Sequence, residues 1–296
     1  MFVNRPNVVR AMNVKEGNVQ LRFPDFIVIG AAKSGTTTLH AWLKQQPDVF
    51  MCRKEPKFFA DRWDLGPEWY AHRFDDAARD ALAGEISPQY TAPEYADIAA
   101  PRMADLVPDA RLIYLLRHPI DRLLSHYRFR ARQARVGESF DTIVAEPHNF
   151  LVEGSRYFAR LSPYIDAFPR EQIRVVRFED LVATGGDGWD RVLDHLGLPS
   201  RPAPSDARNV TDDVAHVAPS VRRLGAARRR LHLPSPPRSA VRATRRVAQV
   251  LSREYRDPFE GGTPTVPGGV ASAIWDDIER LEAWLGLDAP LWQRTT

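Results

Sequence analysis

Four groups of residues in this 296-residue chain have the types and spacing of a site that handles anions. The first is Gly30-Ala31-Ala32-Lys33-Ser34-Gly35-Thr36-Thr37-Thr38. Lys33 is a mobile cation, Gly35 lets the backbone come close to a ligand, and Ser34, Thr36, Thr37 and Thr38 add hydroxyl donors. The second is Leu112 to Tyr127, in which Arg117 and Ser125 stand eight residues apart around His118-Pro119. The third is Arg53-Lys54-Glu55-Pro56-Lys57-Phe58-Phe59, where a carboxylate flanked by lysines stays in the ionised form that a general base needs. The fourth is Gly84-Glu85-Ile86-Ser87-Pro88-Gln89-Tyr90.

The elements around these groups decide whether they can meet. Phe26 to Gly30 is a short, continuous apolar run and reads as a buried, parallel strand. Leu39, Trp42 and Leu43 then recur at helical spacing from Thr37 to Gln45. The order strand, small-residue loop, helix is that of an anion site, because the unpaired N–H groups of a first helical turn and the helix dipole face the loop. Gly84 to Ser87 reads as a short strand, Pro93 to Leu106 as a helix, and Arg111 to Arg117 as a strand. Arg117 falls at the carboxyl end of that strand, the usual ligand edge of a parallel sheet. Pro119 suits a helix start, and Asp121 to Arg135 is amphipathic. Helices at Tyr157–Phe168 and Trp189–Leu196 bracket a third clear strand, Gln172–Arg177. Strands alternating with helices specify an α/β fold with a parallel sheet. Beyond Pro199, prolines punctuate basic helical pieces, Asp257 to Gly269 reads as an exposed Gly/Pro-rich loop, and Ala271 to Leu285 is a last helix. The expected organisation is one domain over 1–296, with an α/β core at about 22–200 and a mainly helical portion at 201–296. Within it Arg122 reads as a solvated helix residue, and His118 and His126 as capping or helix-surface residues.

The loop is not a Walker A sequence, which places lysine directly after the second glycine. Here Lys33 precedes Gly35 by two positions and Thr36 holds the Walker lysine's place, so Lys33 reaches a different part of its ligand. A P-loop-like kinase or NTPase, the nearest rival, lacks the lysine it requires.

From Phe26 to Leu39 the chain resembles the 5′-phosphosulfate loop of the sulfotransferases that use PAPS (3′-phosphoadenosine-5′-phosphosulfate), in particular the heparan sulfate and carbohydrate type and its bacterial relatives. The resemblance implies a P-loop-NTPase-like parallel sheet flanked by helices, with helical C-terminal additions. It implies PAPS as sulfate donor, PAP as product, and no metal. The loop Lys33 to Thr38 holds the 5′-phosphate, and Lys33 contacts the oxygen that leaves. Arg117 and Ser125 match the motif that binds the 3′-phosphate. Glu55 matches the glutamate of the K-E-x-x-F-F element, the general base that takes the proton of the acceptor hydroxyl or amine. Lys54 contacts donor or acceptor. Glu85, Ser87 and Tyr90 match a G-E-K-[ST]-P-x-Y segment that lines the acceptor cleft. Ile86 stands where many relatives carry lysine, which argues against a strongly acidic glycan gripped there. A glycan, a lipid or a small molecule remains open as the acceptor.

Composition narrows the rest. A chain that is 44% hydrophobic and 27% charged can bury a core, and no apolar stretch approaches the ~18 residues of a membrane span. Met1 to Asn18 lacks the apolar core of a signal peptide. Cys52 is the single cysteine, so an intrachain disulfide and a multi-cysteine zinc site are excluded. It reads as a small core residue, and a reducing, cytoplasmic compartment fits. Net charge is +3, but Arg222 to Arg246 carries nine arginines and no acidic residue, a stretch suited to an anionic partner. Without Phe, Tyr or Trp between them, these arginines do not form the stacking surface of a nucleic-acid-binding protein, so no nucleic acid is expected.

Overall fold

The computed structural model describes residues 21–53, 55–132, 138–204 and 257–294. Five parallel strands form one sheet: β1 (Phe26–Gly30), β2 (Val49–Met51), β3 (Leu82–Ile86), β4 (Arg111–Leu116) and β5 (Ile173–Arg177), in the order β2-β3-β1-β4-β5. Parallel strands need cover on both faces, and the sequence supplies it by alternation. Ile27 and Ile29 of β1 join one core with Leu112, Tyr114 and Leu116, whereas Phe26 and Val28 join the other with Ile113 and Leu115.

Helices α1 (Thr36–Lys44) and α10 (Gly188–Leu196) close the second face, where Trp42 meets Trp189 edge-on at 5.6 Å. The first face is covered by α2 (Phe58–Asp61), α3 (Gly66–Ala71), α4 (Ala96–Leu106), α5 (Pro119–Arg132), α6 (Phe140–Ala145), α7 (Phe150–Glu153) and α8 (Tyr157–Ala167). Helix α9 (Phe178–Val182) follows β5 directly. Helix α11 (Gly268–Leu285) packs on α8, and its buried Asp277 accepts bonds from Phe158 N and Ala159 N at 2.7 and 3.1 Å. A carboxylate from a distant helix thus satisfies the orphan donors at the start of α8.

Strand order dictates where a ligand can sit. The chain lays β1, β2 and β3 to one side, then crosses over β1 to place β4 and β5 on the other. The carboxyl end of β1 is therefore the switch point of the sheet, and it opens into the Gly30–Thr38 loop.

The α/β expectation holds, and every long element lies within a few residues of its anticipated span. Missing from the sequence reading are β2 and the short helices α2, α3, α6, α7 and α9, which run from three to six residues. Such pieces have no periodicity to detect and are held by tertiary contacts. The segment Asp257–Gly269 is corrected in part. It is mostly exposed coil, but Phe259 and Val266 are buried, and Phe259 stacks on Tyr127 of α5 at 5.5 Å. No helix among the described residues is long and apolar enough to cross a membrane. The Arg222–Arg246 stretch lies outside the described residues.

Candidate functional site

The loop after β1 is shaped by backbone conformations that few residues tolerate. Lys33 has φ 75° and Gly35 has φ 87°, both in the left-handed region. A Cβ on Gly35 would lie 2.1 Å from the Phe178 ring, so glycine is required twice over, by conformation and by space. A lysine held at positive φ is a local cost that the surroundings must enforce. They do: Ala31 N donates to Leu115 O at 2.7 Å, and Arg122 Nε donates to Ala32 O at 3.1 Å. The Lys33 ammonium rests over the Phe129 ring, 4.4 Å from its centroid.

This loop forms one wall of a cavity of about 820 Å³. Lys33, Gly35, Thr36, Thr37 and Thr38 line it. Ser34 does not, since its side chain is fully buried. Arg117 and Ser125 line the same cavity from the β4–α5 connection. Their position is fixed by the backbone around Arg117. Tyr157 Oη donates to Arg117 O at 2.8 Å, and His118 N donates to Glu179 Oε1 at 2.8 Å. The other oxygen of Glu179 accepts from Trp292 Nε1 at 3.3 Å, so the C-terminal segment braces the turn that presents Arg117. His118 is no simple cap: its ring packs against Trp275 and Trp292.

Glu55 also lines the cavity, a third exposed, and its carboxylate lies 3.5 Å from Lys57 Nζ. Two features hold it there. Phe58 and Phe59 are fully buried in an aromatic cluster, with Phe58 stacked on Tyr70 at 4.5 Å. The backbone N–H of Lys57, itself at φ 57°, donates to Ser87 Oγ at 3.1 Å. Lys54 lies outside the described residues.

The expectation that Glu85, Ser87 and Tyr90 line an acceptor cleft is corrected. All three are fully buried behind the cavity. Glu85 lies on the same strand face as Ala83, which alternation turns into the core. Its Oε1 accepts from Tyr70 Oη and Tyr90 Oη, both at 2.8 Å, and its Oε2 from Ser87 Oγ at 3.4 Å. The network therefore runs from a buried carboxyl through Ser87 to the backbone two residues beyond Glu55. Ile86 faces the opposite core, with α1 and α10, and is 1% exposed. It does not line the cavity that holds Lys33, Arg117 and Glu55.

Burial pushes the Glu85 carboxyl up to about 7, against the three hydrogen bonds that favour its charge. Its folded-state value lies above the ordinary 4.5, so the protonated form favours the fold. That contribution is fully present below about 4.5 and is lost as pH rises through about 7. Glu85→Gln keeps an oxygen for both tyrosines and removes the titration. Urea unfolding of both proteins from pH 4 to pH 8 is expected to show the wild type losing ~3 kcal/mol relative to the variant across that range. Parallel stability curves would remove the assignment.

Sequence reasoning missed Arg122. Far from solvated, it is 3% exposed, and its guanidinium also donates to Leu151 O at 2.9 Å and Ser155 Oγ at 3.2 Å. The i, i+4 pairing with His126 was a visible signal, but the carbonyl partners come from segments distant in sequence. His126 likewise lines the cavity and is no surface residue.

The cavity wall thus brings together Lys33, the loop hydroxyls Thr36 to Thr38, Arg117, Ser125 and Glu55, and leaves Ser34, Glu85, Ser87 and Tyr90 in the layer behind. Mouse heparan sulfate glucosamine 3-O-sulfotransferase 3A1 is 30% identical over 197 residues, covering 64% of this chain and 49% of that protein. The membrane-associated sulfotransferase kil1 of Dictyostelium discoideum is 39% identical over 113 residues, covering 37% of this chain and 23% of that protein. The chain spans about half the length of the heparan sulfate relatives it matches. A sulfotransferase from Alicyclobacillus acidocaldarius superposes with a TM-score of 0.61 at 23% identity, over 91% of this chain and 98% of that one, so the fold is shared. The family described as the sulfotransferase domain matches residues 23–218, about two thirds of the sequence, and the chain belongs to that family.

Proposed function

We propose that this chain transfers the sulfuryl group of PAPS to a hydroxyl or amine of a glycan, lipid or small-molecule acceptor. The observation that carries the reading is the single cavity whose wall holds the Lys33–Thr38 loop, Arg117, Ser125 and Glu55 together. A strand-to-helix loop with a glycine at positive φ suits a 5′-phosphate, and an arginine with a serine on the neighbouring connection suits a second, separate phosphate. Membership of the family supports a 3′,5′-bisphosphate nucleotide as what fills both.

In the reaction so described, the Glu55 carboxylate takes the proton of the acceptor O–H or N–H. The acceptor atom forms its bond to sulfur as the bond from sulfur to the bridging phosphate oxygen breaks. Lys33, with the N–H groups at the start of α1, stabilises the negative charge that gathers on that oxygen. No step calls for a metal. Glu85, Ser87 and Tyr90 act behind the site by holding the segment that carries Glu55, and the chain works as one domain. A cytoplasmic setting suits its one cysteine, Cys52, whose thiol is buried and pushed up by desolvation.

Thermal shift with PAP, with ATP and Mg²⁺, and with an oligonucleotide tests the nucleotide. PAP alone is expected to stabilise, by ~2.7 kcal/mol at a hundredfold excess over its Kd. Stabilisation by ATP–Mg²⁺ or by the oligonucleotide, with none by PAP, would overturn the reading.

A further inference from the structure

Arg122 and His126 form a pair on α5 that none of the assigned roles uses. The Arg122 Nη2 atom lies 2.9 Å from His126 Nδ1. A guanidinium has only donors, so Nδ1 must present its lone pair and the ring proton must sit on Nε2. Protonating Nδ1 would set one N–H against another and place a second cation beside Arg122. The ring's environment agrees. Burial first, then the charges of Arg122, Arg130 and Lys33, hold the imidazole well below its ordinary value. Those are the charged groups facing it from α5 and from the loop after β1, and from α7 the Phe150 ring meets it edge-on at 5.2 Å. His126 lines the cavity, and its Nε2 has no partner among the described residues. It is thus a neutral N–H donor of fixed orientation.

Its neighbours say which part of the cavity it serves. On α5, Ser125, His126 and Phe129 all line the cavity, with Phe129 four residues after Ser125 and three after His126. Phe129 carries the Lys33 ammonium, and the Lys33 charge is one of those that act on the His126 ring. His126 therefore stands at the reacting end of the site. The charged parts of the nucleotide are served by cations. A ring locked neutral among cations suits an uncharged oxygen instead, and the flanking Phe129 and Phe150 rings suit an apolar ring face.

We propose that His126 is a specificity-determining residue: its Nε2–H donates to an uncharged hydroxyl, ether or carbonyl oxygen of the acceptor, and Arg122 is the positioning residue that fixes its tautomer. The acceptor is then an uncharged, ring-bearing hydroxyl compound in preference to a carboxylated one. This rests on the sulfotransferase reading above.

The test uses the full chain, ¹⁵N-labelled at histidine, with the His126 resonances assigned by their loss in His126→Gln. Long-range ¹H–¹⁵N spectra are expected to show the neutral Nε2–H tautomer from pH 5.5 to 8.5, in the free protein and with PAP bound. Phenyl β-glucoside added to the PAP complex is expected to shift the Nε2–H resonance, with phenyl β-glucuronide at least tenfold weaker. With labelled donor, His126→Phe is expected to raise KM for phenyl β-glucoside about tenfold, the scale of one neutral hydrogen bond, with kcat within threefold and PAP affinity unchanged. His126→Gln, which keeps a donor, should recover part of that loss. A protonated or Nδ1–H ring, no shift with the glucoside, a preference for the glucuronide, or a fall in kcat at constant KM would each overturn the proposal. Absence of PAP binding would instead overturn the underlying function.

Discussion

Lys33→Ala is expected to lower kcat by about 10³-fold while changing PAP affinity by less than tenfold. Removing one group that stabilises charge appearing only in the transition state costs ~10²–10³ in rate, and Lys33 adds a full charge to that role. The ground state loses far less. The ammonium is already stacked on Phe129, an interaction of ~0.5–2 kcal/mol that does not need the nucleotide, and the phosphates keep the loop backbone, Thr36 to Thr38, Arg117 and Ser125. Lys33 is also at φ 75°, where alanine is no more comfortable than lysine. Lys33→Gly separates the two effects, since glycine accepts that backbone without strain and equally lacks the charge. Both variants are expected to show the same loss in single-turnover sulfation with labelled donor, and calorimetry with PAP gives the binding term. A glycine variant with near-normal kcat would show that Lys33 matters for loop shape and not for the leaving oxygen.

What the sequence revealed, and what it hid, follows from the range of the forces involved. The Phe26–Gly30 strand and the loop after it were legible because a continuous apolar run, a glycine and a hydroxyl cluster are local signals. Arg117 was legible because it follows a strand whose end must face the ligand edge. Glu85 was found but put on the wrong side of the wall. Motif resemblance ranked it with Ser87 and Tyr90 as cleft residues, whereas its burial depends on Tyr70, fifteen residues away, to provide a hydroxyl. Arg122 was hidden for the same reason. An arginine on an amphipathic helix reads as solvated until Ala32 from one distant segment and Leu151 and Ser155 from another arrive to accept its protons. Buried charge is paired charge, and the pairing is a property of the fold.

The contrast between Glu85 and Glu55 also sets the second large effect. Two carboxylates approach the same backbone segment, one sealed behind the wall and one open on it. Glu85 is surrounded by donors that leave it nothing to reach outside the core. Glu55 is a third exposed, faces the cavity, and has Lys57 Nζ at 3.5 Å. Only the second can meet an acceptor proton. Glu55→Gln keeps the shape and removes the basicity, so kcat is expected to fall by about 10³-fold, within the ~10²–10⁴ that a positioned base contributes. PAP affinity should not change. Stability should move by less than ~1 kcal/mol, because a half-open ion pair with Lys57 contributes no more than that. Glu55→Asp pulls the carboxylate back by one methylene and should retain part of the activity, since reach and not charge is what it loses. Rapid-quench measurement of the sulfated product under single-turnover conditions separates chemistry from product release. A glutamine variant that keeps full single-turnover rate would exclude Glu55 as the base. A variant that loses PAP binding along with turnover would reassign it to shaping the donor site.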